Sequence, residues 1–208
     1  MSAEMAIGGS NADANETIHP GWVRICHWIN AIAILVMIGS GWQIYNASPL
    51  FNFEFSKHIT LGQWLGGALR WHFAAMWVLV INGIVYVTLG LASGRFRHKL
   101  LPIFPSEVLA DARAALAFRL AHDDLTHYNA VQKLLYTGVI LTGILIVLSG
   151  LSIWKPVQFQ ELTALFGGYD VARYVHFIAM AAIVGFLVVH VALALIVPKS
   201  LRAMIAGR

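Results

Sequence analysis

The chain has 208 residues, 59% of them hydrophobic and only 12% charged, with a formal net charge of +4 and a mean hydropathy of +0.71. A soluble domain of this size carries about a quarter charged residues, so the composition points to an integral membrane protein and the length to one bundle. The single cysteine, Cys26, excludes an internal disulfide framework and a CxxCH attachment; no Walker, Rossmann or zinc-cysteine motif is present, and the small charge does not suggest nucleic-acid binding.

Residues 1–20 form a polar stretch with no basic region running directly into an apolar core, so a polar tail is expected there rather than a cleaved signal. A helix needs roughly 20 mostly apolar residues to cross a bilayer. Four segments qualify, at about 25–45, 71–92, 131–153 and 172–197. Trp22, Trp28, Trp42, Tyr45, Trp71, Tyr128, Trp154 and Tyr174 gather near their ends, as an interfacial aromatic belt does.

Between spans one and two, residues 46–70 read as a mixed loop. Between spans two and three, a basic cluster (Arg95, Arg97, Lys99) precedes "PSEVLADARAALAFRLAH". With Ser106 as a cap and Val108, Leu109, Ala112, Leu116 and Leu120 on one face, that stretch reads as an amphipathic helix at the membrane surface. The expected fold is therefore all-α and integral to the membrane. It is a single domain over 1–208, a four-transmembrane-helix bundle with one surface helix, and no internal repeat is apparent.

Lysine and arginine set the orientation. The segments ahead of span one, between spans two and three and after span four hold ten of them, and the opposite side holds four (Lys57, Arg70, Lys155, Arg173). Both termini are expected in the cytoplasm, with the bacterial inner membrane as the location.

The informative polar residues are histidines. His176 and His190 lie 14 residues apart in span four. At 100° and 1.5 Å per residue they share one face, about 21 Å apart along the axis. His27 opens span one at the depth of His190, and His72 opens span two at the depth of His176. A lone histidine in a membrane helix commonly does no more than hydrogen-bond to a neighbour. Two pairs at two depths, with no acidic residue inside any span, suit the axial positions of two haem irons better than a zinc site or a proton pump. His19, His58, His98 and His122 read as ordinary solvated histidines of loops and tails. Gly39, Gly41, Gly83, Gly138, Gly143, Gly150 and Gly185 suit either a macrocycle approaching the backbone or close helix packing.

"HPGWVRICHW", "RWHF", "HYNAVQK" and "VH…VVHV" resemble the bacterial b-type cytochrome family. That family includes cytochrome b561, the cytochrome b subunits of nickel–iron hydrogenase and thiosulfate reductase, and the gamma subunit of formate dehydrogenase. The resemblance covers about residues 18–200. It implies two non-covalent b haems, one held by His27 and His190 and the other by His72 and His176, the pairing that depth alone gives. It also implies a quinone near Asn129 and Gln132, which lie three apart on a helix and can face one way; His127 beside them is a candidate proton donor. The competing use of these two side chains is helix capping and anchoring. Arg70 and Arg173 are candidates to pair with haem propionates. The surface helix resembles the branch whose cytochromes neighbour periplasmic molybdenum enzymes.

The function these features imply is electron transfer between a periplasmic redox partner (a molybdoenzyme, a hydrogenase or a cytochrome c) and the quinone pool, with lipid all round. The alternative is a stand-alone cytochrome b561 acting as a superoxide:ubiquinone oxidoreductase. A haem-free scaffold whose histidines only pack is the third reading.

Overall fold

The computed structural model describes residues 19–99, 102–116, 129–196 and 198–207. Among them are eight helices and no strand: α1 (Gly21–Ala47), α2 (Leu65–Ala92), α3 (Arg95–Lys99), α4 (Pro105–Leu116), α5 (Ala130–Trp154), α6 (Gln160–Leu165), α7 (Tyr169–Ile196) and α8 (Pro198–Ala206). The four long ones have 25 to 28 residues and apolar windows with mean hydropathy of 1.6 to 2.6. At 1.5 Å per residue each reaches about 40 Å, enough for a hydrocarbon core of about 30 Å. The expected all-α bundle of four membrane-crossing helices is what the chain forms.

Each helix starts before its expected span, α2 earliest of all, at Leu65 rather than 71. Its start at Leu65 is masked in the sequence by Gly66 and Gly67, which are poor helix formers. Gly67 is required on steric grounds, because a Cβ there would collide with the Gly62 carbonyl oxygen. Gly62 (φ 108°) and Gln63 (φ 63°) turn the chain through the left-handed region immediately before the helix. The Leu61 amide donates to the Gly39 carbonyl of α1 at 2.9 Å, so the 48–64 loop is tied down over the end of the bundle.

Packing divides the helices into two couples. α1 lies along α2 and α5 along α7, but the couples scarcely touch each other along their lengths. They are joined at their ends. At the end carrying the 48–64 loop (the loop end), Tyr45 meets Phe177 and Phe73 meets Trp154, both at 5.1 Å between ring centroids. There too the Arg173 guanidinium donates to the Ser48 carbonyl at 2.6 Å. At the opposite, terminal end, Arg24 donates to the Ile205 carbonyl at 2.9 Å and Trp28 Nε1 to the Met204 carbonyl at 3.4 Å, fastening α8 to α1.

Between these fastenings the interior is not filled by large apolar side chains. The largest fully buried ones are Ser40, Ser149 and Ser152, while Ile32, Leu35, Ile81, Ile84, Leu141, Ile178 and Val188 are exposed on the helix surfaces. A Cβ added at Gly83, Gly138, Gly143 or Gly185 would meet nothing within 4 Å. This inside-out distribution suits lipid outside and a non-protein filling within.

The surface helix expected after Ser106 is α4. Asp111 Oδ2 accepts from the Ala130 amide at 2.7 Å, docking α4 on the first turn of α5. Val108 and Ala112 are half-buried and Leu109 is exposed; Leu120, expected on the same face, lies outside the described residues. Three short helices go beyond the expected elements: α3, α6 in the 154–171 connection, and α8.

Candidate functional site

The histidines meet across the gap between the two helix couples. His27, early in α1, faces His190, late in α7, with ring centroids 5.9 Å apart and planes at 60°. His72, early in α2, faces His176, early in α7, at 6.5 Å and 62°. Both pairs expected from depth are therefore brought together, one at each end of the gap. Among the described residues no three histidine, cysteine or acidic side chains gather as a metal cluster would need. The histidines work in twos.

At the loop end the ring tautomers follow from counting protons. A serine hydroxyl has one proton to give. Ser40 Oγ donates it to the Val36 carbonyl at 2.6 Å, so toward His72 Nδ1, at 3.0 Å, the oxygen can only accept. Ser149 repeats this: its Oγ donates to the Leu145 carbonyl at 2.8 Å and faces His176 Nδ1 at 3.1 Å. The Ile146 carbonyl is a second acceptor for His176 Nδ1, also at 3.1 Å. Both rings thus carry their proton on Nδ1, which leaves each Nε2 with a free lone pair.

The glycine after each serine lets the imidazole come close. A Cβ at Gly150 would stand 3.2 Å from His176 Cε1, and one at Gly41 would stand 3.5 Å from His72 Cε1.

The two halves of this end are copies of one design. Ser40-Gly41 on α1 is followed five residues later by Tyr45, and Ser149-Gly150 on α5 by Trp154. Tyr45 packs on Phe177 and Trp154 on Phe73, the residues immediately after the two histidines. Each histidine is hydrogen-bonded from its own couple, and its neighbouring phenylalanine is clamped from the other. Short stretches of sequence correspond at this end: "SGWQIY" answers "SGLSIW", and "RWHF" answers "RYVHF".

The terminal-end pair is built of different material. Phe186 stacks on His190 at 5.5 Å and 14°, and Trp28 presents an edge to His27 at 5.4 Å. Next to His27, Asn82 of α2 donates to the Cys26 carbonyl at 2.8 Å and to Asn30 Oδ1 at 2.7 Å. Sequence reasoning passes over Asn82, although an asparagine in the middle of an apolar span is itself a signal of a bond between helices.

Asn129 and Gln132 are brought together, but toward each other. Asn129 Oδ1 accepts from the Gln132 amide at 2.7 Å and Gln132 Oε1 from the Asn129 amide at 3.1 Å, a complete capping box. Their side-chain NH2 groups are not consumed by it. His127 lies outside the described residues, as do His122 and the side chain of His98. Arg173 is engaged with Ser48, and Arg70 lines an open cleft of about 650 Å³ with Trp64 and Trp71 at the loop end. His58 is exposed as expected. His19 is not the solvated residue expected: it is buried, with Arg95 at 3.3 Å from its Nδ1, because the chain turns into α1 beneath α3.

The profile of the prokaryotic cytochrome b561 family matches residues 18–207. The chain belongs to that family. It is 52% identical over 190 residues to the putative protein-methionine-sulfoxide reductase subunit YedZ1 of Azospira oryzae, across 91% of this chain and 96% of the relative. It is 26% identical over 207 residues to the probable Ni/Fe-hydrogenase B-type cytochrome subunit of Bradyrhizobium diazoefficiens, across 91% of this chain and 80% of that one. As a member of the cytochrome b561 family it is a multi-pass membrane cytochrome that binds b-type haem and serves electron transfer.

Proposed function

We propose that this cytochrome holds two b haems, each between two histidines, and carries electrons between a partner on the outer face of the bacterial inner membrane and the quinone pool. The observation that carries this is the spacing of the paired rings, 5.9 Å for His27 and His190 and 6.5 Å for His72 and His176. Two imidazoles on one metal ion, each bonded at about 2.0 Å, put their centroids roughly 6 Å apart. The Nε2 lone pairs of His72 and His176, freed by Ser40 and Ser149, are the donors such an ion requires. The sparse contact between the two helix couples leaves room for flat macrocycles. Thr137 Oγ1 on α5 is buried without a hydrogen-bond partner among the described residues, which suits a gap that holds something more than protein.

Bound haem supplies reversible one-electron chemistry. The chain supplies the rest. His72 and His176 hold one group near the outer face, and His27 and His190 the other about 21 Å further along the helices. Exposed apolar side chains seat the bundle in lipid and keep water from the gap. At the terminal end, the amide NH2 groups of Asn129 and Gln132 make no hydrogen bond among the described residues and can donate to a quinone carbonyl. The excess of lysine and arginine at that end supports its facing the cytoplasm.

The kinship supports a reductase as the partner. The 52% relative is named as a subunit of a protein-methionine-sulfoxide reductase. A reductase consumes electrons, so the reading favoured here runs from quinol, through the inner pair, to an outer catalytic subunit. The partnered reading is preferred to a stand-alone superoxide oxidoreductase for the same reason.

Haem content and midpoint titration test the site. The purified protein should hold two haems per chain. His72→Ala and His176→Ala should each lose the same one, and His27→Ala and His190→Ala the other. If His72→Ala and His176→Ala both retain two haems, the pairing is wrong. Purification in mild detergent should bring down a soluble redox subunit; rapid superoxide-driven quinone reduction by the isolated chain would instead favour the stand-alone enzyme.

A further inference from the structure

The geometry points to Ser40 and Ser149 as positioning residues that set the redox potential of the outer haem alone. This rests on the bis-histidine reading above. Each serine hydroxyl has committed its proton to the carbonyl four residues back, at 2.6 Å for Ser40 and 2.8 Å for Ser149. Each therefore acts on its histidine only as an acceptor, at 3.0 Å and 3.1 Å from Nδ1. An imidazole whose N–H is held by an acceptor is a more basic ligand at its other nitrogen, and a more basic ligand favours the ferric ion. Both serines have no exposed surface, so water does not replace them. The flanking glycines make the contact short, and the aromatic clamps on Phe73 and Phe177 hold each helix at the histidine's own level. The inner pair is bordered by Phe186 and Trp28 instead, so the two ends are tuned by different means.

The experiment is a redox titration of the haem-loaded protein followed by visible and low-temperature electron paramagnetic resonance spectra. The outer midpoint is identified as the one missing in His72→Ala. Ser40→Ala and Ser149→Ala should each raise that midpoint, Ser149→Ala by less because the Ile146 carbonyl still accepts from His176 Nδ1, and leave the inner one in place, with two haems still bound. A tenfold change in ferric preference corresponds to about 59 mV for a one-electron couple, the upper end expected for each serine. The double variant should move it further. Ser152→Ala is the control, because among the described residues that equally buried hydroxyl bonds only the Leu148 carbonyl, at 3.1 Å; it should move neither midpoint.

Gly150→Ala supplies an independent arm. Its new methyl, 3.2 Å from His176 Cε1, pushes the ring off an intact Ser149 and should raise the same midpoint. Gly41→Ala, at 3.5 Å from His72, makes an ordinary contact and should shift it less. Retained haem with unmoved midpoints in both serine variants overturns the inference, as does an equal shift of both haems. If the serine variants lose haem, Gly150→Ala decides, and an unmoved outer midpoint there overturns it too. Two haems remaining in His72→Ala would instead sink the bis-histidine reading, before the serines come into question.

Discussion

Tyr45 stands 5.1 Å from Phe177, ring centroid to ring centroid, although α1 and α7 hardly meet along the rest of their lengths. Its hydroxyl also donates to the Phe51 carbonyl at 3.3 Å and accepts from the Phe51 amide at 3.2 Å, so one side chain binds two helices and the loop between α1 and α2. Tyr45→Phe keeps the ring contacts and gives up the hydroxyl, whereas Tyr45→Leu also gives up ring pairs with Phe177, Phe53 and Phe55, each worth about 1 kcal/mol beyond its area. On the proposed two-haem reading, the haem at the loop end should be released at lower temperature in Tyr45→Leu than in Tyr45→Phe, with the other haem little affected. Spectra recorded during heating in detergent check this. Simultaneous release of both haems in Tyr45→Leu would show that the clamp is not local.

Asn82 plays the equivalent joining part between α1 and α2 at the other depth. Its Nδ2 donates to the carbonyl of Cys26, the residue before His27, and to Asn30 Oδ1. Interhelical hydrogen bonds in lipid contribute about 0.6 to 2 kcal/mol, and removing Asn82 takes the bridging donor from Asn30 Oδ1. Asn82→Leu should therefore destabilise the bundle by about 1 kcal/mol or more, measured by denaturant titration. It should also broaden the inner haem's spectrum while leaving the outer one sharp. The double change Asn30→Leu with Asn82→Leu should recover part of the loss, because it removes both polar groups together.

What the sequence makes legible is what periodicity and depth encode. Four apolar stretches of bilayer length and the 14-residue interval between His176 and His190 are sufficient to draw the bundle and match the histidines in twos. The serines are not legible for a physical reason. A serine in a membrane helix ordinarily bonds back to its own helix, as Ser40 and Ser149 also do, and nothing local announces that its oxygen serves a ring on another helix. Asn129 and Gln132 are legible as a polar pair, but their first use is with each other. The early start of α2 is concealed because Gly66 and Gly67 are there for the close approach of Trp64 and Gly62, not for helix propensity.

Asp111 plays a part that composition could not suggest. Its carboxylate accepts from the Ala130 amide at 2.7 Å and so caps α5 from a different helix. A negative charge at a helix N-terminus is worth about 0.3 to 1 kcal/mol beyond the hydrogen bond itself. Asp111→Asn should keep the bond and lose the charge; Asp111→Ala should lose both. Hydrogen exchange at the Ala130 amide should quicken slightly in the first and by about tenfold in the second, the equivalent of about 1.4 kcal/mol of local opening. Equal protection in Asp111→Ala and the parent would mean that α4 docks through its apolar face alone.

The capping box at the start of α5 permits a clean test of quinone recognition. It uses only the oxygens of Asn129 and Gln132, at 2.7 Å and 3.1 Å, and leaves both NH2 groups over. Asn129→Asp and Gln132→Glu keep an accepting oxygen in each place, so the helix start survives; aspartate and glutamate are themselves favoured there. What they remove is the two donors, and they add negative charge where a reduced quinone would carry it. Haem content and thermal stability should remain as in the parent. Oxidation of the inner haem by a quinone analogue should slow by about tenfold for each variant, the equivalent of one hydrogen bond of about 1.4 kcal/mol lost in the reacting complex. Asn129→Ala breaks the cap as well, and should lower stability by about 1 kcal/mol in addition to slowing the reaction. Should Asn129→Asp and Gln132→Glu react with quinone at the parental rate, the pair is a helix cap only, and the quinone docks elsewhere on the terminal end.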